Sequence, residues 1–134
     1  MKYIGKNDQL IQFFDENYSL LDGQLKKVQL AQEDSLGLVV ELDIVLTHEK
    51  VNKFVRLRFS EVELFLFTYQ KDYIFYNIEI FKFFKAPLGY YLSLDPVDES
   101  ALASDKDNDV IIGGTVEAYF LEVISPTVDG SGKS

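Results

Sequence analysis

Over residues 38–46, 55–59 and 62–66 an apolar side chain recurs at every second position, a period that admits strands and excludes helices. Leu38, Val40, Leu42, Ile44 and Leu46 form one stripe opposed by Val39, Glu41, Asp43 and Val45, as in a half-buried strand. The polar stretch from Thr47 to Asn52 then turns the chain. Val55, Leu57 and Phe59 resume the stripe with Arg56 and Arg58 opposite, but beyond Ser60 the apolar positions move to Val62, Leu64 and Leu66. A one-residue slip flips every later side chain, so a bulge or tight turn is expected at Ser60-Glu61.

The rest of the chain is built around the same period. Gln24 to Leu30 alternates, after one slip, as a first strand. Residues 73–84 are dense in β-branched and aromatic types and read as one long strand. Its even positions Ile74, Tyr76, Ile78, Ile80 and Phe84 are the expected core face, interrupted by Lys82. Its odd positions carry Tyr73, Phe75, Phe81 and Phe83, aromatics that either lie under a helix or form a patch for a partner. Cover is the expectation, since soluble monomers rarely expose large apolar patches. Ala86-Pro87-Leu88-Gly89 is a turn, Tyr90 to Leu94 a short strand, Pro96 to Asn108 a long polar loop with a helical turn near Glu99–Ala103, and 115–124 a last strand after Gly113-Gly114.

Helical spacing occurs near the N-terminus, where Asp8 is a suitable cap and Leu10, Ile11, Phe13 and Phe14 follow, giving a helix over about residues 8–17. Strands joined by short connections must pair antiparallel. The expected fold is therefore α+β: a short N-terminal helix packed on a mainly antiparallel, strongly twisted sheet of six or seven strands. Residues 1–124 are expected to form a single domain, with 125–134, rich in Gly, Ser and Pro, as a flexible tail.

Composition narrows the chemistry. The chain has no cysteine, which excludes disulfides, thiolate metal sites and a cysteine nucleophile. A net charge of -9 repels nucleic-acid phosphates and anionic membranes. With no signal-peptide pattern and no long apolar run, a cytoplasmic location is expected.

The short motifs carry little chemistry. Asp105-Lys106-Asp107-Asn108-Asp109 has the spacing that opens a calcium loop, but Val110 stands where the turn glycine belongs and Val116 where the closing Glu belongs. Gly130-Ser131-Gly132-Lys133-Ser134 lacks the first glycine of a phosphate loop and the helix that must follow it. His48, the single histidine, sits in the polar turn with no nucleophile signature nearby, and is expected to be an exposed loop residue. Glu61 and Glu63 share one face of a strand, as alternating solvent-facing charge also would. No catalytic, cofactor-binding or metal-ligating residue is assigned.

The feature that remains is the acidic run. Asp95, Asp98, Glu99, Asp105, Asp107 and Asp109 face Lys106 alone within fifteen residues, more than half of the net charge of -9. Such a local field speeds encounter with a positively charged surface. These six acids are the expected contact residues for a basic protein partner, with the aromatic face of Tyr73, Phe75, Phe81 and Phe83 as the alternative.

In texture, the stretches Arg56-Leu57-Arg58-Phe59-Ser60-Glu61-Val62-Glu63-Leu64-Phe65-Leu66-Phe67, Asp72-Tyr73-Ile74-Phe75-Tyr76-Asn77-Ile78-Glu79 and Gly89-Tyr90-Tyr91-Leu92-Ser93-Leu94-Asp95-Pro96 resemble small acidic bacterial proteins grouped as immunity or immunity-like proteins of polymorphic toxin systems. The resemblance implies a non-catalytic module that binds a cognate toxin, and it assigns no functional residue. The rival class is a small-ligand-binding domain or a carboxylate-based enzyme with a pocket between helix and sheet. A third reading is a homo-oligomer built on a strand edge or on the aromatic face.

Overall fold

The computed structural model describes residues 1–48, 51–68 and 77–121. In order these form β1 (Lys2–Lys6), α1 (Asp8–Glu16), β2 (Gln24–Glu33), β3 (Gly37–His48), β4 (Val51–Leu66), β5 (Lys82–Ala86), β6 (Gly89–Asp95) and β7 (Asn108–Phe120). The seven strands make one sheet in the order β2-β3-β4-β7-β6-β5, with β1 also paired to β7. Each pairing is antiparallel. The expected α+β class, an N-terminal helix on a mainly antiparallel sheet of six or seven strands, is what the chain adopts, with seven strands among the described residues. The helix among the described residues is too short to cross a membrane.

β7 organises the sheet. One of its edges pairs with β4 from Val55↔Phe120 to Leu66↔Val110, while the other edge meets first β6, then β1. β6 and β7 cross closely at glycines. Gly89 has φ 141°, where an L side chain is strained, and a Cβ there would collide with the Gly113 carbonyl oxygen. Gly113 and Gly114 thus lie inside β7 rather than ahead of it, and the strand begins several residues before the expected 115.

α1 lies on one face, here called the inner face. Leu10 and Phe14 are buried there in one cluster with Leu42, Ile44, Leu57, Phe59, Leu92 and Ile111. Asn7, rather than Asp8, precedes the helix, and its amide oxygen accepts the Val116 N–H at 3.0 Å instead of capping α1. Asp8 is freed to accept the Tyr90 hydroxyl at 2.9 Å.

Other departures follow from the backbone. The slip in β4 is real, but it is spread over two places: Glu61 takes φ 52° and donates its N–H to Leu36, and the register with β7 shifts between Val62 and Leu64. Val62, Phe65 and Phe67 therefore pack on the core, and Leu64 and Leu66 turn to the outer face, contrary to a common stripe of Val62, Leu64 and Leu66. Of the expected strand 73–84, the described residues 77–84 are not continuously strand. Asn77 makes an isolated bridge to Gln24, residues 78–81 bend, and β5 starts only at Lys82. The bend resets the parity, so Ile78, Phe81 and Phe83 join the inner core whereas Phe84 belongs to the outer face. The loop 96–107 contains bends and turns but no helical turn at Glu99–Ala103. The expectations for Tyr73, Phe75 and the rest of 69–76, for the side chain of His48 and for the 125–134 tail fall outside the described residues.

Candidate functional site

The outer face divides into two halves. Over β2, β3 and β4 it carries a charge ladder: Arg56 grips Asp43 through paired bonds of 2.7 and 3.0 Å, and Arg58 reaches Glu33 at 3.2 Å and Glu41 at 4.0 Å. Over β4, β7, β6 and β5 the registers align Leu64, Ile112, Tyr91 and Phe84 in one cross-strand row and Leu66, Val110, Ser93 and Lys82 in the next. Phe84 stacks on Tyr91 with centroids 4.9 Å apart, and Tyr91, Val110 and Ile112 are buried as a second, smaller apolar cluster.

Lys82 is the charged member of these rows, an ammonium whose side chain is 1% exposed. Burying a charge is costly unless it is paired and hydrogen-bonded. The loop 96–107 supplies that pairing. The Lys82 Nζ donates to both Asp107 oxygens at 3.0 Å and to the Leu102 carbonyl at 2.7 Å, and Asp98 lies 3.1 Å away. Asp107 also accepts the Tyr91 hydroxyl at 2.6 Å and the backbone N–H groups of Val97 at 2.9 Å and Ser104 at 3.1 Å. One carboxylate thus ties β5, β6 and both ends of the loop together.

The protonation states follow from these contacts. Burial pushes the Asp107 carboxyl up, but the Tyr91 hydroxyl, the Val97 N–H, Lys82 and the Ser104 N–H outweigh it and hold the group below the usual range. Burial pulls Lys82 down, and Asp107 and Asp98 more than compensate, so it stays charged. Burial first, then the hydrogen bond to Asp107 and the Asp107 charge, push Tyr91 up to about 12. The Ser100 hydroxyl and N–H, with help from Lys82, lower Asp98 to about 2.

The six acids singled out from the sequence therefore occupy different environments. Asp107 is buried as the anchor. Asp109 is also buried, with φ 52°, and accepts the Thr68 N–H at 3.1 Å. Neither carboxylate is presented to solvent. Asp95, Asp98, Glu99 and Asp105 are exposed, Asp98 at 58% while still paired to Lys82. Of the alternative aromatic face, Phe81 and Phe83 pack on the inner core, with Phe83 6.2 Å from Phe14 of α1.

Beside the loop is a hollow of about 380 Å³, floored by Leu64, Leu66, Tyr91 and Val110 and walled by Ala103, Ser104 and Asp105. Sequence reasoning overlooked Lys82, Tyr91, Leu64 and Leu66 as site residues. The available signal was Lys82 itself: a lysine in an otherwise apolar strand, followed by an acidic run, is the pattern of a buried ion pair. No protein-family model, no curated protein and no solved structure matches this chain.

Proposed function

We propose that this chain is a non-catalytic protein-binding module, a toxin-neutralising immunity-like protein, that meets a basic partner with the exposed acids of the loop 95–105. The observation that carries the proposal is the anchoring of that loop. A charge run serving solubility alone needs no fixed shape, whereas here a buried ion pair and backbone bonds to one carboxylate hold the exposed Asp95, Asp98, Glu99 and Asp105 in place. Fixing a residue costs about 1–2 kcal/mol of backbone entropy, so a loop ordered beforehand spends less of its contact energy on ordering. Exposed apolar side chains stand beside the acids, Val97 and Leu102 on the loop and Leu66 on β4. An apolar centre with a charged rim is the composition of a protein interface.

The carboxylate-enzyme or small-ligand reading draws on the hollow, which Tyr91, Asp105 and Asp107 help to line. Against it, Asp107 has both oxygens occupied by the chain's own donors, leaving it poorly suited to take a proton from a substrate. The floor is also open, with Leu66 57% exposed, whereas small-ligand pockets enclose about 70–90% of their ligand.

The test is crosslinking of the purified chain to its partner in extracts of the source cells, with the crosslinked residues mapped by mass spectrometry. A basic partner crosslinked within residues 95–106 supports the proposal. A partner held through β2 or the Arg56–Asp43 ladder contradicts it.

A further inference from the structure

We infer that the hollow beside the acidic loop seats an apolar side chain presented by a lysine- or arginine-bearing segment of the partner. This rests on the protein-binding reading and names what the surface selects. Burial breaks off abruptly along the cross-strand rows. Tyr91, Val110 and Ile112 are at most 8% exposed, yet their row neighbours on β4, Leu64 and Leu66, are 36% and 57% exposed. The sheet face is apolar up to its end, but the loop covers only the β5–β6 side of it. The uncovered leucines floor the hollow of about 380 Å³, and Ala103, Ser104 and Asp105 wall it.

Charge identifies the occupant. Asp105 stands on the wall, Asp98 and Glu99 are exposed on the same loop, and Lys106 is the loop's own exposed counter-charge. The Lys82 ammonium is spent on Asp107 and Asp98 beneath the surface. An incoming apolar side chain satisfies the leucines, and a cation flanking it meets the wall. A purely apolar segment would leave the wall unpaired, and a purely basic one would leave the leucines wet.

The experiment is an NMR titration of the full 134-residue chain, with leucine and valine methyls and backbone amides assigned. The probes are short synthetic peptides with one central leucine between lysines, the same peptide with serine for leucine, and one with glutamates for lysines. The leucine–lysine peptide should shift the methyls of Leu64, Leu66 and Val110 together with the amides of residues 103–105, with affinity about tenfold or more above the serine peptide. The glutamate peptide should shift neither set. Leu66→Ser, at an exposed site that leaves melting unchanged, should remove the preference for leucine while keeping the response to lysines. Equal binding of the leucine and serine peptides, with shifts confined to the acidic loop, overturns the hollow as a seat and leaves the acidic-surface reading standing. No shift at either place with any lysine peptide overturns both.

Discussion

Lys82 keeps its charge inside the protein because oxygens from three different parts of the loop converge on it, Asp98, Leu102 and Asp107. Removing one partner of a buried pair is far more damaging than never having had the pair, since the remaining charge has neither water nor counter-ion. Lys82→Met should therefore cost about 3–5 kcal/mol, a large part of the 5–15 kcal/mol typical of a domain. Adding Asp107→Asn should recover part of that loss by removing the stranded charge, and chemical denaturation of the single and double variants measures both. Equal stability of Lys82→Met and the native chain would contradict the burial. The same contacts fix the pH response. Asp98 and Asp107 lie below their unfolded values, so their contribution is complete above about pH 4 and is lost as pH falls through the folded values, near 2 for Asp98. Tyr91 and Lys82 lie above theirs, so their contribution is complete below about pH 10 and is lost as pH rises toward 12, the folded value of Tyr91. Melting followed over this range should show this network holding steady between about pH 5 and 9 and weakening outside it. A steep loss on going from pH 7 to 5, absent from Lys82→Met, would contradict the assignment.

At the level of elements, α1 is held by its apolar stripe rather than by a cap. Phe14 is buried against Phe83 and Phe13, so Phe14→Ala should cost about 3–5 kcal/mol in equilibrium unfolding. A cost under about 1 kcal/mol would mean that α1 does not dock where described. This helix and strand β3 were legible because each has a clear period and one more deeply buried face; β2 and β4 alternate only around slips, and β6, buried at every position from Tyr90 to Leu94, was marked by the turn before it. β1 was not legible, since its five residues, Lys-Tyr-Ile-Gly-Lys, carry too little pattern, and pairing with β7 creates the strand. Residues 73–84 misled for the opposite reason. Uniform β propensity hid a bend, and after a bend the period no longer says which face a residue takes. That is why Lys82 looked like an interruption of the inner core when it belongs to the outer face.

Over the whole molecule, the sheet has an inner face that carries the main core and an outer face split between a self-paired charge ladder and an apolar half with an acidic loop folded onto it. The ladder satisfies its own charges. The loop satisfies those of Asp107 and Lys82, and leaves Asp95, Glu99 and Asp105 turned outward. The crowding of acids into one loop was legible from charge density alone, but its internal division was not, because a carboxylate that anchors and one that faces solvent are the same letter in a sequence. Phe81 and Phe83, half-buried against the core, are partly covered, which weakens the described half of the aromatic alternative. The most direct test is the association rate with the crosslinked partner over about 50–300 mM salt, where the screening length shortens through about 8 Å. The native chain is compared with Asp95→Asn/Glu99→Gln/Asp105→Asn, which spares the Lys82 network. The account predicts association about tenfold slower at low salt, a flattened salt dependence and unchanged melting in the variant. Identical rates and salt slopes in the two proteins would contradict it.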